Sequence, residues 1–331
     1  MRWILGSAKK DFGFFVLPGL AALAFVTAFP QLASHSILYM IVAVGFIESG
    51  HVYTTFWRTY FHREERNSSM IYLVVPLVIF TVFAIWMYFG RVGLWSFVAY
   101  ANIFHHIRQY YGFNRWYQGL NRRFAIGSDL FLYALCSLPI LAYHFKPGAI
   151  GGYYSDHDLL LLPSALIFQV ITISYAVTWV AWTFFEIREA RASGPEWNRI
   201  ISVAVPGVMY GVCFFNGHDV GTILTPLVIS HGVAYFGVMG DSLTRTQKSR
   251  FPTFLRALGV VIATAVVAGG FEFYSEDNWI DFQDAGPGGS FVVALVTGIY
   301  LVPLFSHFIF DARIWRRKHR EADLVFDTLK P

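Results

Sequence analysis

Residues 71–90, IYLVVPLVIFTVFAIWMYFG, run for twenty positions without a charge. A helix rising 1.5 Å per residue crosses the roughly 30 Å hydrocarbon core of a bilayer in about that length. In hydrocarbon only helices and closed barrels satisfy their own backbone. Comparable runs cover approximately 12–31, 36–57, 70–89, 93–113, 126–146, 159–185, 199–217, 220–239, 252–273 and 289–312. Of 331 residues 56% are hydrophobic and 14% charged, against about 25% charged in soluble domains. The pattern predicts an all-α polytopic transmembrane bundle of about ten spans, a single integral-membrane domain over 1–331. Short connections at 90–92 and 217–219 imply antiparallel neighbours, and no segment is long enough for a separate soluble domain. No internal repeat is visible. The sixth run is overlong, so it is expected to tilt or to extend beyond the bilayer.

The start, Met1 to Asp11, is short and basic, and no small-residue cleavage site follows the first run, so no secretory signal is read there. Cys136 and Cys213 both fall inside apolar runs and read as small core residues rather than a disulfide. The basic residues behind the net charge of +4 are spread over short loops, which argues against nucleic acid as a partner.

Lysine and arginine favour the cytoplasmic side of a membrane. Arg2, Lys9 and Lys10 precede the first run, and Arg58, Arg63 and Arg66 follow the second. Arg115, Arg122 and Arg123 follow the fourth; Arg188, Arg191 and Arg199 lie about the sixth loop; Arg245, Lys248 and Arg250 follow the eighth. Arg313, Arg316, Arg317, Lys318, Arg320 and Lys330 close the chain, whereas the odd loops offer Arg91, Lys146 and the acidic Glu276, Asp277, Asp281 and Asp284. Both termini are therefore expected in the cytoplasm, in a multi-pass protein of a bacterial inner membrane.

That topology brings His51, His105, His106, His231 and His307 to one depth, on the cytoplasmic halves of the second, fourth, eighth and tenth runs. Carboxylates accompany them. Glu48 and His51 stand at i, i+3, and His307 and Asp311 at i, i+4, each pair on one helix face. His62 would continue the Glu48–His51–Thr55 face, Asp241 ends the eighth run below His231, and Glu186 lies near the end of the sixth; these three are further candidates. Gln109 stands one turn beyond His105 and His106. A single histidine in an apolar helix is ordinarily a packed residue bonded to a hydroxyl or carbonyl. Five at one depth on four helices are hard to explain so, because each polar group is expensive there. His35, His144, His157 and His218 read as solvated outer-loop residues, and most tyrosines and tryptophans as interface belts.

Imidazoles with carboxylates suit iron, zinc or copper, and the lack of a cysteine cluster argues against iron–sulfur. More than four donors suits one or two non-haem irons better than closed tetrahedral zinc. The expected metal ligands are Glu48, His51, His105, His106, His231 and His307. Asp311 and Gln109 are expected to orient imidazoles, and Arg108 to hold an anionic substrate end, or else to snorkel to the surface. Such a site would make the protein an iron-dependent oxygenase, oxidase or desaturase. It would use dioxygen, a cytoplasmic electron donor and a hydrophobic small-molecule or lipid substrate.

SHFIFDARIWRR at 306–317 and single histidines scattered over several helices resemble the Brp/Blh type of bacterial carotenoid-cleaving membrane oxygenases. The H-G-x-x-D element of that family is absent, and ESGHVY at 48–53 stands as a substitute. By this resemblance His51, His105, His231 and His307 would be iron ligands. Two rival classes remain: a proton-coupled transporter using the intramembrane His, Glu and Asp, and a haem electron-transfer protein clamping its cofactor between two histidines.

A reporter fused after Pro331 is expected to be cytoplasmic and one inserted near Asp281 external. An external C-terminus would move the histidines to the outer leaflet and overturn the depth argument.

Overall fold

A computed structural model describes residues 2–35, 37–61, 70–90, 92–152, 158–217, 219–245, 251, 253–279 and 291–315. Every regular element among them is helical. Eight helices are long and apolar enough to cross a membrane: Ala8–Ala28, Met70–Tyr88, Ile126–Phe145, Ala165–Ser193, Trp197–Asn216, Gly221–Arg245, Phe254–Ser275 and Phe291–Ile314. By length and composition this is a multi-pass membrane protein. The sixth expected run begins later and ends later than its hydropathy implied, because Ser164 caps Ile167 and Gly194, at a φ of 81°, ends the helix.

Two expected runs are built differently. The run over 36–57 is divided among Ile37–Met40, a π-helical stretch Ile41–Ser49, Gly50–Thr54 and a 3-10 turn Thr55–Trp57. The run over 93–113 becomes one helix, Leu94–Asn121, which continues through Arg115. Its polar second half is satisfied laterally. Asp129 accepts from Asn114 Nδ2 at 2.9 Å, Gln118 Nε2 at 2.8 Å and Arg115 Nη1 at 3.1 Å.

The chain divides into two compact units, each assembled from two separated segments. The first comprises Met1–Ser36 and Trp95–His231. Here Ile126–Phe145 packs against both Ala165–Ser193 and Trp197–Asn216. Asp11 ties down the N-terminal residues, accepting from the backbone of Ile4 and Leu5 at 2.8 Å each and from the Tyr117 hydroxyl at 2.6 Å. Cys136 and Cys213 are buried free thiols.

Arg199 is the largest charged group buried in this unit, its side chain 2% exposed. Its two terminal nitrogens donate to the two oxygens of Glu186 at 2.7 Å each, and its Nε donates to Glu196 Oε2 at 3.0 Å. Glu186 is thereby accounted for as the partner of Arg199.

The second unit comprises Ile37–Leu94 and Gly232–Pro331. Phe291–Ile314 packs along Met70–Tyr88, while Ile41–Ser49 and Gly50–Thr54 pack on a second π-helical stretch, Ala265–Gly269. Two glycines permit close approach. A Cβ on Gly50 would lie 2.7 Å from the Ala265 carbonyl oxygen, and one on Gly232 would lie 2.6 Å from Ile47 Cγ2. Each stands beside a histidine in sequence, His51 and His231. Asp241 accepts from Arg245 Nε at 2.7 Å on its own helix. His62 lies outside the described residues.

Replacing Glu186 by alanine leaves the Arg199 charge buried, for which losses of about 3–5 kcal/mol are typical. Glu186→Ala is therefore expected to lower the unfolding midpoint in detergent strongly. Adding Arg199→Met should recover most of the loss, because the acid that remains, Glu196, keeps Arg123 Nε at 3.7 Å as its partner.

Candidate metal centre

In the second unit His51 comes from the short helix Gly50–Thr54 and His307 from Phe291–Ile314; both are 1% exposed. Their ring centroids are 4.8 Å apart and nearly perpendicular, and each offers a ring nitrogen within 4.8 Å of the other's. His51 Nδ1 is 3.1 Å from the Ile47 carbonyl oxygen. A carbonyl only accepts, so Nδ1 carries the proton, and in the neutral ring Nε2 is left with its lone pair available to a metal.

His307 reaches the same state through a longer chain. Tyr235 donates its hydroxyl hydrogen to Asp311 Oδ1 at 2.8 Å. With that hydrogen used, the contact of 2.8 Å between Thr55 Oγ1 and the Tyr235 hydroxyl has Thr55 as donor. The contact of 2.7 Å between Thr55 Oγ1 and His307 Nδ1 then has the histidine as donor. Both imidazoles of this unit thus present Nε2 unprotonated. The Asp311 carboxylate, 3.6 Å from His307 Nδ1, anchors the chain of donors.

In the first unit His105 and His106 lie mid-helix on Leu94–Asn121, and His231 on the helix Val220–Arg245. His105 meets His231 edge to face at 5.1 Å between centroids, whereas His106 stacks on His231 at 3.9 Å and 13°. The adjacent pair is therefore not equivalent, as a helical turn of about 100° per residue requires. Ring nitrogens of His105 and His231 lie within 4.8 Å of each other. His106 turns toward a small enclosed space lined by Asn102, Tyr210 and apolar side chains. Gln109 donates Nε2 to the His231 backbone carbonyl at 2.9 Å.

Two nitrogens bound to one ion at about 2.1 Å stand at most about 4.2 Å apart, so modest ring rotation brings either pair onto a metal. The histidines whose ring nitrogens lie close enough to hold a metal ion are the pair His51 and His307 in the second unit and the pair His105 and His231 in the first. Glu48 and His106 are in neither pair. Glu48 Oε2 lies 3.9 Å from His51 Nδ1. Arg108 is on an exposed flank, donating to the Tyr133 hydroxyl at 2.6 Å and lying over the Tyr111 ring. His144 closes the helix Ile126–Phe145 and meets the Leu160 carbonyl at 2.7 Å. The side chains of His35, His157 and His218 lie outside the described residues.

Sequence reasoning assigned no role to Tyr235, which stands one helical turn beyond His231, and noticed Thr55 only as part of a helix face. A hydroxyl at i+4 from a histidine is the available signal, and it is weak alone. No sequence pattern marks Glu272, a half-buried acid that accepts from the Tyr53 hydroxyl.

Comparison with known protein families, with curated proteins and with solved structures finds no match.

Thr55→Val and Tyr235→Phe each break the donor chain to His307. Losing such an outer partner typically lowers metal affinity about 10–100-fold. That loss is expected in metal-competition titrations, whereas Thr55→Ser, which keeps the hydroxyl, should bind as the parent does. Equal affinity in all three would make the chain irrelevant to the site.

Proposed function

We propose that this protein is a membrane-embedded, non-haem iron-dependent oxidoreductase of the oxygenase, oxidase or desaturase type, acting on a lipid-soluble substrate. The observation that carries the reading is the close approach of paired imidazoles, His51 to His307 in one unit and His105 to His231 in the other. Paired imidazoles without a thiolate suit iron, zinc or copper. A redox-active metal such as iron, unlike zinc, accounts for placing the site among apolar helices, since when bound it would activate dioxygen beside a hydrocarbon substrate.

The chain's own residues prepare the donors. Ile47 holds the His51 ring by its carbonyl, and Thr55, Tyr235 and Asp311 hold the His307 ring. Gln109 fixes the backbone at His231. Glu48, on the π-helical stretch before His51, supplies a carboxylate near the donors, and π-helical turns recur at functional sites. The spacing disfavours a haem between the paired rings. Two imidazoles on opposite faces of one haem iron need about 6 Å between centroids, from bonds of about 2 Å plus the ring radii, more than the 4.8 Å and 5.1 Å of the two pairs. The expected membrane is a bacterial inner membrane with the site in its cytoplasmic half.

Metal analysis of the purified protein is the test. Iron should copurify, and His231→Ala or His307→Ala should remove most of it, since each deletes a donor from a small site. His144→Ala should leave it unchanged. Zinc alone, or equal losses from His144→Ala, would overturn the reading.

A further inference from the structure

Away from the histidines, the first unit contains a cavity of about 390 Å³ lined by Arg2, Asn121, Arg122, Arg123, Ser193 and Glu196, among others. Its size falls within the range of small-molecule sites. Three arginines face one acid there, and Glu196 is already engaged: its Oε2 accepts from buried Arg199 and lies 3.7 Å from Arg123 Nε. Glu196 Oε1 is different. The residue is 6% exposed, and that oxygen has no hydrogen-bond partner among the described residues. A buried carboxylate oxygen without a donor is costly, so it marks a place where a ligand can donate.

Arg122 is the second anomaly. It follows the last residue of the helix Leu94–Asn121 at a φ of 56°, and it is the one non-glycine residue with positive φ among those described. That position, just past a helix end, ordinarily takes glycine because a Cβ is strained there. Strain of this kind is kept where the side chain has a use. The floor beneath it is rigid: Arg2 N donates to Asn121 Oδ1, Asn121 Nδ2 to Asn198 Oδ1, and Asn198 Nδ2 to the Arg2 carbonyl, at 3.2, 3.0 and 2.7 Å. Arg123 Nη1 is spent on the Ser193 and Gly194 carbonyls.

The cavity sits at the ends of three candidate spans: Ala165–Ser193 ends there, and Ile126–Phe145 and Trp197–Asn216 begin there. Phe124, Ile126 and Trp197, chain neighbours of its lining, are 56%, 72% and 56% exposed. Exposed aromatic and aliphatic side chains at the ends of spanning helices mark headgroup depth.

We infer that this cavity binds the headgroup of an aminophospholipid. The phosphate faces Arg122 and Arg2, and the ammonium donates to Glu196 Oε1. A phosphate alone would leave Glu196 unanswered, and a quaternary ammonium has no hydrogen to give it.

The test uses the full-length protein in nanodiscs of phosphatidylethanolamine and phosphatidylcholine mixed equally, followed by release into detergent and native mass spectrometry of retained lipid. Phosphatidylethanolamine should be retained at least about tenfold over phosphatidylcholine, the discrimination expected from one charge-assisted hydrogen bond. Arg122→Gly, which removes a phosphate contact, should lower the retained phosphatidylethanolamine several-fold with a melting temperature equal to or above the parent's, because glycine relieves the backbone. Free O-phosphoethanolamine titrated into lipid-depleted protein in detergent should bind weakly; saturation at micromolar concentration would keep the recognition chemistry but overturn a lipid as its source. Equal retention of both lipids, or undiminished retention of phosphatidylethanolamine in Arg122→Gly, would overturn the site itself.

Discussion

A neutral imidazole has one proton and one lone pair, and a bundle of apolar helices has to find a place for both. Water cannot correct a wrong choice in such surroundings, where an unpaired polar group costs several kcal/mol. Much of the second unit answers this demand. The Ile47 carbonyl takes the His51 proton, and the series Thr55, Tyr235, Asp311 takes that of His307. Three side chains from three helical elements are thus committed to the direction in which one ring points its lone pair. The carboxylate is the terminus that makes the direction unique, since without an acceptor at that end Thr55 and Tyr235 could reverse.

The same demand explains local backbone choices. Rings at centroid distances near 5 Å require helices to come close, and Gly50 and Gly232 leave out the side chains that would hold Ala265 and Ile47 away. The π-helical stretches Ile41–Ser49 and Ala265–Gly269 meet at this approach. A widened turn shifts the register of the residues after it, and so can aim His51 without moving the whole helix.

What could be read from the residues was periodicity and depth. Apolar runs lie within a few residues of six of the eight candidate spans; capping by Ser164 and Gly194 shifts one along the chain, and the run over 220–239 stops six residues short of Arg245. Depth picks out His51, His105, His106, His231 and His307 from eleven histidines, and all but His106 have a ring nitrogen close to that of a partner in the same unit. It does not separate His105 from His106, because adjacent residues share a depth and differ only in azimuth. Nor does it reveal Tyr235, whose use depends on which helix lies opposite. Glu186 and Asp241 looked like candidates because a carboxylate in an apolar run is expensive; arginines settle both, one of them thirteen residues away on another helix. The extension of Leu94–Asn121 past Phe113 was hidden for the same reason, since its polar residues are answered by Asp129 across a turn.

The division of the second unit into Ile37–Leu94 and Gly232–Pro331 has a consequence for biogenesis. Roughly 140 residues separate the two segments, and at about 5–20 residues per second they occupy a ribosome for on the order of ten seconds. Throughout that interval Glu48, His51 and Tyr53 have been made, while Tyr235, Glu272 and His307, which later surround them, have not. The Ile37–Trp57 segment therefore spends its first seconds carrying Glu48, His51 and Tyr53 without the neighbours that later answer them. A chain built this way depends on a protected environment at the insertion machinery until its last helix arrives.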